Sequence, residues 1–397
     1  VFVALPQPSL TTAPDLIHTS IKRIASLQKL FNTAVASAFP LVSYRLPGAA
    51  EPESCMQLDD TPLFWSEGAV DGFVVAPFDF PNTAARWLRR DLAFTGFQFN
   101  PAQARTGLLH TKQLLQLSAF YDRLAETTAD NWQQLTQQPS PAVSQQNYEV
   151  QVQAALAAIA RGPLQKVVLS RIKQVPLPAD THPATLFEKL CAAYPQAFVS
   201  LVNLPGLGIW LGASPELLLQ NEDDMFETMS LAGTRTTAGS MAPWTDKEIH
   251  EQLLVTDYIR EKLREAGLQV EVAERETVQA GQVYHLRNLI RATGHASSFA
   301  LVKTLHPTPA VCGLPADSAR NYLLFHEAHQ RSLYGGFLGP VDAQGHSQLY
   351  VNLRSMELHK GSASLYLGGG IVAGSVPAAE WQETEHKAAT LLRILQH

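Results

Sequence analysis

Apolar and polar residues alternate over 41–46 and 69–77, and this two-residue period predicts strands. Further on, 80–104 mixes prolines, glycines and aromatics without a clear period. Over 131–148 no residue is charged, six are Gln and Ser140-Pro141 breaks the run, the composition of a connecting segment. The chain is therefore divided near Asn147 into an N-terminal part, 1–147, and a second region, 148–397, in which helical and strand patterns alternate. A helical run over 149–160 stops at Gly162-Pro163, and strands are expected over 166–172, 197–203 and 208–220. Thr245-Asp-Lys-Glu248 is a capping box, in which hydroxyl and carboxylate satisfy backbone N–H groups that a helix start leaves unpaired. It opens a helix to Glu265 or Ala266, with Gly267 as the stop. A hairpin over 348–358 and 363–367 leads into Gly368-Gly369-Gly370, and Pro377 starts a last helix to Gln396. This alternation favours an α+β class built of mixed α/β layers.

Composition adds size and compartment. The 397 residues are 46% apolar and 17% charged, below the roughly 25% charged of ordinary soluble domains, so there is material for a large core and disorder is excluded. A formal charge of −6 without Lys/Arg blocks leaves no cationic footprint for nucleic-acid phosphates. Cys55, Cys191 and Cys312 are far apart and form no CxxC pair, which argues against disulfides and thiolate zinc and for a reducing compartment. The opening VFVALPQPSL lacks a basic n-region and 18 apolar residues never run together, so neither a secretory signal nor a membrane span is expected and the protein is read as cytoplasmic.

Three motifs come close to known chemistry and miss it. Gly368-Gly-Gly370-Ile-Val-Ala373 fits the dinucleotide fingerprint, but 374–397 reads as one helix and supplies no second strand with a ribose-binding acid. Gly212-Ala-Ser214-Pro-Glu216 resembles a nucleophile elbow, yet it ends in Glu, and Pro215 cannot give the N–H an oxyanion hole needs. His326-Glu-Ala-His329 spaces its histidines by three where the zinc motif needs four, and reads as a partly solvated helix face.

More informative are charges where a stripe should be apolar. Glu380, Glu383 and Lys387 share a helix face with Leu391 and Ile394, and Glu251 enters a seam with Leu254, Val255 and Tyr258. Either Glu383 and Lys387 form an ordinary surface pair, or acids from two helices share a cation; Mg²⁺ takes few carboxylates and keeps water or substrate oxygens for its other positions. Lys166 heads an apolar strand and either snorkels to solvent or, if buried, serves as a general base. Glu216, between Pro215 and three leucines, is expected to have its pKa raised by desolvation and to donate a proton. Arg354 is an edge-strand residue or a fork for a carboxylate, and the N–H groups around Gly369 and Gly370 form a tight turn or an anion nest.

Taken in order, Lys166-Val-Val-Leu-Ser-Arg171, Gly212-Ala-Ser-Pro-Glu216, Leu231-Ala-Gly-Thr-Arg235, His250-Glu251, His306-Pro-Thr-Pro-Ala310, Tyr334-Gly-Gly-Phe, Arg354, Gly368-Gly-Gly-Ile-Val and Glu380-Trp-Gln-Glu383-Thr-Glu-His-Lys387 resemble the chorismate-utilising enzymes. The match runs from about Glu149 onward and is most similar to the isochorismate synthases of menaquinone or siderophore pathways; the first third matches loosely. The resemblance implies two large, mostly antiparallel sheets with helices outside and a deep cleft. It also implies Mg²⁺-dependent addition of water at C2 of chorismate with loss of the C4 hydroxyl. Lys166 is then the general base and Glu216 the general acid. Glu251 and Glu383 are magnesium ligands, with Glu380 nearby through water. Arg354, Gly370 and Lys387, with Gly369 beside them, fall in motifs that contact substrate carboxylates, and Gly233, Thr234 and His306 fall in segments lining the pocket.

Within the family, aminodeoxychorismate synthases carry a nucleophilic Lys where this chain has Ala232, and anthranilate synthases lack the base that Lys166 supplies. Water is thus the expected nucleophile, and no glutaminase subunit is expected. Salicylate synthases share Lys166 and Glu216 and often have Thr at the place of Ala310, which makes them the alternative, beside a catalytically silent chorismate-binding homologue. Chorismate is the expected partner, with neither nucleic acid nor membrane, and the chain is expected to be a monomer or weak dimer.

Overall fold

A computed structural model describes residues 24–127, 132, 138–236, 243–280 and 283–395. The opening VFVALPQPSL, Gln396 and, Trp132 aside, 131–137 of the expected connecting segment lie outside the described residues.

Strand residues point alternately to opposite faces, so each face meets a different layer. In the Gly72–Ala76 strand, Phe73 and Val75 pack between two sheets, whereas Val74 and Ala76 pack outward. The Phe198–Leu204 strand repeats this, with Phe198, Val202 and Leu204 inward and Val199 and Leu201 against the helices Leu27–Ala36 and Pro183–Ala193. Burial of both faces explains why such strands read as near-continuous apolar runs. The result is two sheets of ten strands each among the described residues, packed face to face with helices on the outer faces. Every pairing within them is antiparallel. Across the inner layer Phe198 of one sheet stacks on Tyr350 of the other, with ring centroids 4.3 Å apart.

The first sheet includes, in spatial order, the strands Lys166–Pro176, Ser362–Val372, Ser355–His359, Gly208–Ser214, Phe198–Leu204 and Leu41–Arg45; the second includes Met225–Thr236, Leu217–Glu222, Ser347–Val351, Phe337–Val341 and Gly72–Ala76. Both sheets thus join strands from either side of Asn147. That residue itself lies in the first turn of the helix Gln145–Arg161, whose start is capped by Ser144.

Two expected strands are each broken in two. The run over 208–220 divides at Pro215-Glu216, and that over 348–358 divides at Asn352–Arg354; at both breaks the chain passes from one sheet to the other. The crossings are bonded to each other: Val351 N donates to Glu216 O at 3.0 Å, Ala213 N to Arg354 O at 3.1 Å and the Ser214 hydroxyl to Val351 O at 2.5 Å. Arg354 takes a φ of 48°, a left-handed conformation that costs a non-glycine residue about 1 kcal/mol and is held by this junction. The capping box at Thr245 forms as expected and opens the helix Asp246–Glu265. Pro377 begins the helix Pro377–Leu395, and no helix among the described residues is long and apolar enough to cross a membrane.

Candidate active site

Lys166 and Val168 lie two apart on one strand and both face a cavity of about 390 Å³ at the end of the inter-sheet layer. The crossings bring Glu216 and Arg354 to the same cavity, and the two helices starting at Asp246 and Pro377 bring Glu251, Glu380, Glu383 and Lys387. The Lys166 side chain is 1% exposed, and its Nζ lies 2.8 Å from Glu251 Oε1. Lys166 therefore does not snorkel; its side chain is buried with Glu251 as its partner. Glu216 is 3% exposed, and burial pushes its carboxyl up to about 8 although Lys166 and Lys387 pull it down. A neutral carboxylic acid at pH 7 results, as the desolvation argument expects.

Arg354 is buried, which works against its charge. Its guanidinium bonds to neutral partners, Thr390 Oγ1 at 3.1 Å and His285 Nε2 at 3.4 Å, and among the described residues no carboxylate pairs with it. His285 Nδ1 lies 2.6 Å from Gly233 O, so that nitrogen carries the proton and Nε2 presents its lone pair to Arg354. Burial first, and then the Arg354 charge, push the imidazole down to about 3, so it stays neutral. A desolvated cation without a counterion in a cavity calls for an anionic ligand. Lys387 donates to Gly368 O at 2.9 Å and pairs with Glu383 Oε1 at 2.7 Å.

The donor set suits a hard divalent ion. Among the described residues no group of three or more close metal-ligating side chains occurs, but Glu248, Glu251, Glu380 and Glu383 all line the one cavity. Mg²⁺ needs only one or two of them, its other positions going to water and substrate oxygens.

Several expected residues behave differently. Gly368 to Gly370 continue the strand Ser362–Val372, paired with Val168 to Ser170, so the expected turn or anion nest does not form. Gly370 instead makes room: a Cβ there would sit 2.7 Å from Glu251 Oε1 and 3.3 Å from Lys166 Cε. Gly369 is not among the residues lining the cavity, and a Cβ on it would meet the Tyr148 hydroxyl and Glu380 Oε2, each at 3.3 Å. His306 also stays behind the wall; it is 4% exposed, with Nε2 3.1 Å from Phe78 O and its ring against Phe337, while Ala310 reaches the cavity. Gly233 lines it, and the side chain of Thr234 lies outside the described residues. Glu327, in the segment expected to be a partly solvated helix face, has a buried side chain.

Other cavity residues escaped the sequence. Glu248 does double duty: it closes the capping box and binds Arg235, whose guanidinium stacks on Trp244 at 4.2 Å. Burial alone would raise its carboxyl, but the bonds from Arg235 and Thr245 bring it below its usual value. Its position three before Glu251 on one helix face was the available signal. His285, Tyr334 and Tyr366 line the cavity from strand or loop positions that pattern does not separate from core.

The model of the chorismate binding enzyme family matches residues 98–396. Isochorismate synthase EntC of Escherichia coli is 32% identical over 262 residues, 63% of this chain and 67% of that protein. Isochorismate synthase DhbC of Bacillus subtilis is 31% identical over 276 residues, 64% of this chain and 69% of that protein. The structure of MenF, the menaquinone-specific isochorismate synthase from Escherichia coli, superposes with a TM-score of 0.76 over 95% of both chains at 24% identity, a likeness of fold.

Proposed function

Because the chain belongs to the chorismate binding enzyme family, we propose that it is an isochorismate synthase acting on chorismate with Mg²⁺. The observation that carries this reading is the neutral acid Glu216 sharing a cavity with buried Lys166 and with Arg354, a cation that no carboxylate pairs with among the described residues. Isomerisation needs a proton removed from water as its oxygen bonds to C2 and a proton given to the C4 hydroxyl as it leaves, the ring double bonds shifting between them. Glu216 holds the proton to be given. Lys166 accepts a proton only as the free amine, so its bond to Glu251 must loosen in the working enzyme. Arg354 and Lys387 orient the substrate carboxylates, and His285 holds the Arg354 fork in place. Glu251 and Glu383 would hold Mg²⁺, with Glu380 and Glu248 close by, and a bound ion would supply positive charge against the ring carboxylate of the substrate. The reading keeps the enzyme in the cytoplasm, in accord with three buried, free thiols.

Chromatography of products from chorismate and Mg²⁺ tests this. Isochorismate is expected, and Lys166→Ala should lose at least about a hundredfold in kcat while staying folded. Salicylate with pyruvate would mean a salicylate synthase, and absence of turnover by the wild type with measurable chorismate binding would mean a silent homologue.

A further inference from the structure

The strand Lys166–Pro176 is paired unevenly. The strand Ser362–Val372 runs along one edge for its whole length, whereas along the other, among the described residues, only Lys166 and Val167 face a strand, opposite Leu314 and Gly313. Next, Val168 N donates to Cys312 O at 2.8 Å. From there a buried ion pair takes the place of a neighbouring strand: Arg331 Nη2 donates to Val168 O at 2.5 Å, and Glu327 Oε1 accepts from Ser170 N at 2.6 Å. Without these partners that carbonyl and N–H would be orphaned in the interior. The pair is bidentate, with Arg331 Nε 2.7 Å from Glu327 Oε2 and Nη2 2.6 Å from Oε1, and both side chains are 3% exposed. Arg331 Nη1 also donates to Val311 O at 2.8 Å, and the guanidinium lies 4.3 Å over the Phe78 ring. On the other side, the Ser170 hydroxyl donates to Glu327 Oε1 at 2.8 Å and stands 3.0 Å from His329 Nε2.

Two of the carbonyls that Arg331 holds belong to Val168 and Val311, which line the cavity from different segments. One fork thus ties the strand carrying Lys166 to the adjoining segment that carries Val311. We propose that Glu327 and Arg331 are positioning residues of the reaction, setting through the strand edge where the Lys166 amine meets the substrate. Net stabilisation is a weak explanation for a buried ion pair, since apolar groups of the same volume often serve as well. A planar fork ties a carbonyl from each segment to one carboxylate, which an apolar group of the same volume cannot do. This inference rests on the proposed function, with Lys166 as its base.

Arg331→Lys tests it. The ammonium keeps a cation for Glu327 but lacks the planar fork whose separate nitrogens reach the two carbonyls. With chorismate and Mg²⁺, kcat is expected to fall by about tenfold to a hundredfold while KM stays within about twofold, because misplacing a reacting group costs rate and the carboxylate-binding wall of Arg354 and Lys387 is untouched. A folded variant with unchanged kcat, or one whose loss lies in KM, overturns the proposal. Should Arg331→Lys fail to fold, Glu327→Gln replaces it, since the amide keeps the shape of the side chain but offers Arg331 and Ser170 one acceptor oxygen in place of two. Its kcat should fall by about threefold to tenfold at constant KM, and an unchanged kcat overturns the proposal. A wild type that leaves chorismate unconverted defeats the proposed function instead, so the two failures are distinguishable.

Discussion

Exchanging Glu216 for Gln keeps the shape of the side chain and removes its titration. In the folded protein burial holds the carboxyl at about 8, against 4.5 for an ordinary glutamate. Between those two values the folded chain keeps a proton that the unfolded chain has released. Stability from this group is therefore complete below about 4.5 and is lost as pH rises through about 8. Each pH unit in that window costs about 1.4 kcal/mol, so the wild type should lose roughly 5 kcal/mol relative to Glu216→Gln across it. Urea denaturation of both proteins at about pH 4.5 and about pH 9 reads the difference directly, the variant being the more stable at the alkaline end. Activity should move the other way. An amide has no proton to give, so kcat should drop by about a hundredfold to ten-thousandfold, and the wild-type rate should decline above about pH 8. Parallel stability curves for the two proteins, or a wild-type rate that stays flat to about pH 9, would refute the idea of an acid kept neutral by burial.

Gly370→Ala should fold, since its φ is ordinary, but its methyl group would displace Glu251 Oε1, 2.7 Å away. Thermal stabilisation by added Mg²⁺ should weaken and kcat fall by about tenfold, and an unaltered Mg²⁺ dependence in a melting titration speaks against Glu251 as a ligand. Phe198→Ala removes the ring that stacks between the sheets and should cost about 3–5 kcal/mol in urea denaturation, a loss below about 1 kcal/mol meaning that the layer closes over the gap.

Local chemistry was legible wherever it is local. The capping box at Thr245 and Glu248, the proline start at Pro377 and the heading of a strand by Lys166 all involve contacts within a few residues, and each appears in place. Burial of Glu216 was readable from its apolar neighbours. What the pattern concealed is the change of sheet. Buried residues continue on both sides of Pro215-Glu216 and of Asn352–Arg354, so each pair of strands looked like one. Those crossings carry the acid and the arginine. Glycines at 368–370 misled for a related reason: their absent side chains serve the neighbouring Lys166–Glu251 pair and Tyr148, not a turn. The Glu327–Arg331 pair was hidden because its partners, Val168 and Ser170, are distant in sequence.

The interleaved strand order also constrains how the molecule can be made. Ser362–Val372 and Ser355–His359 sit between Lys166–Pro176 and Gly208–Ser214 in the first sheet. While a ribosome is still synthesising the intervening chain, those two earlier strands have hydrogen-bonding edges with nothing to meet them. Such edges attract other chains, so a growing polypeptide of this kind depends on holdases or on masking by its own helices until the late strands emerge. Folding dominated by such distant pairings is intrinsically slow, and refolding yield should decline with protein concentration well before the finished protein shows any tendency to associate.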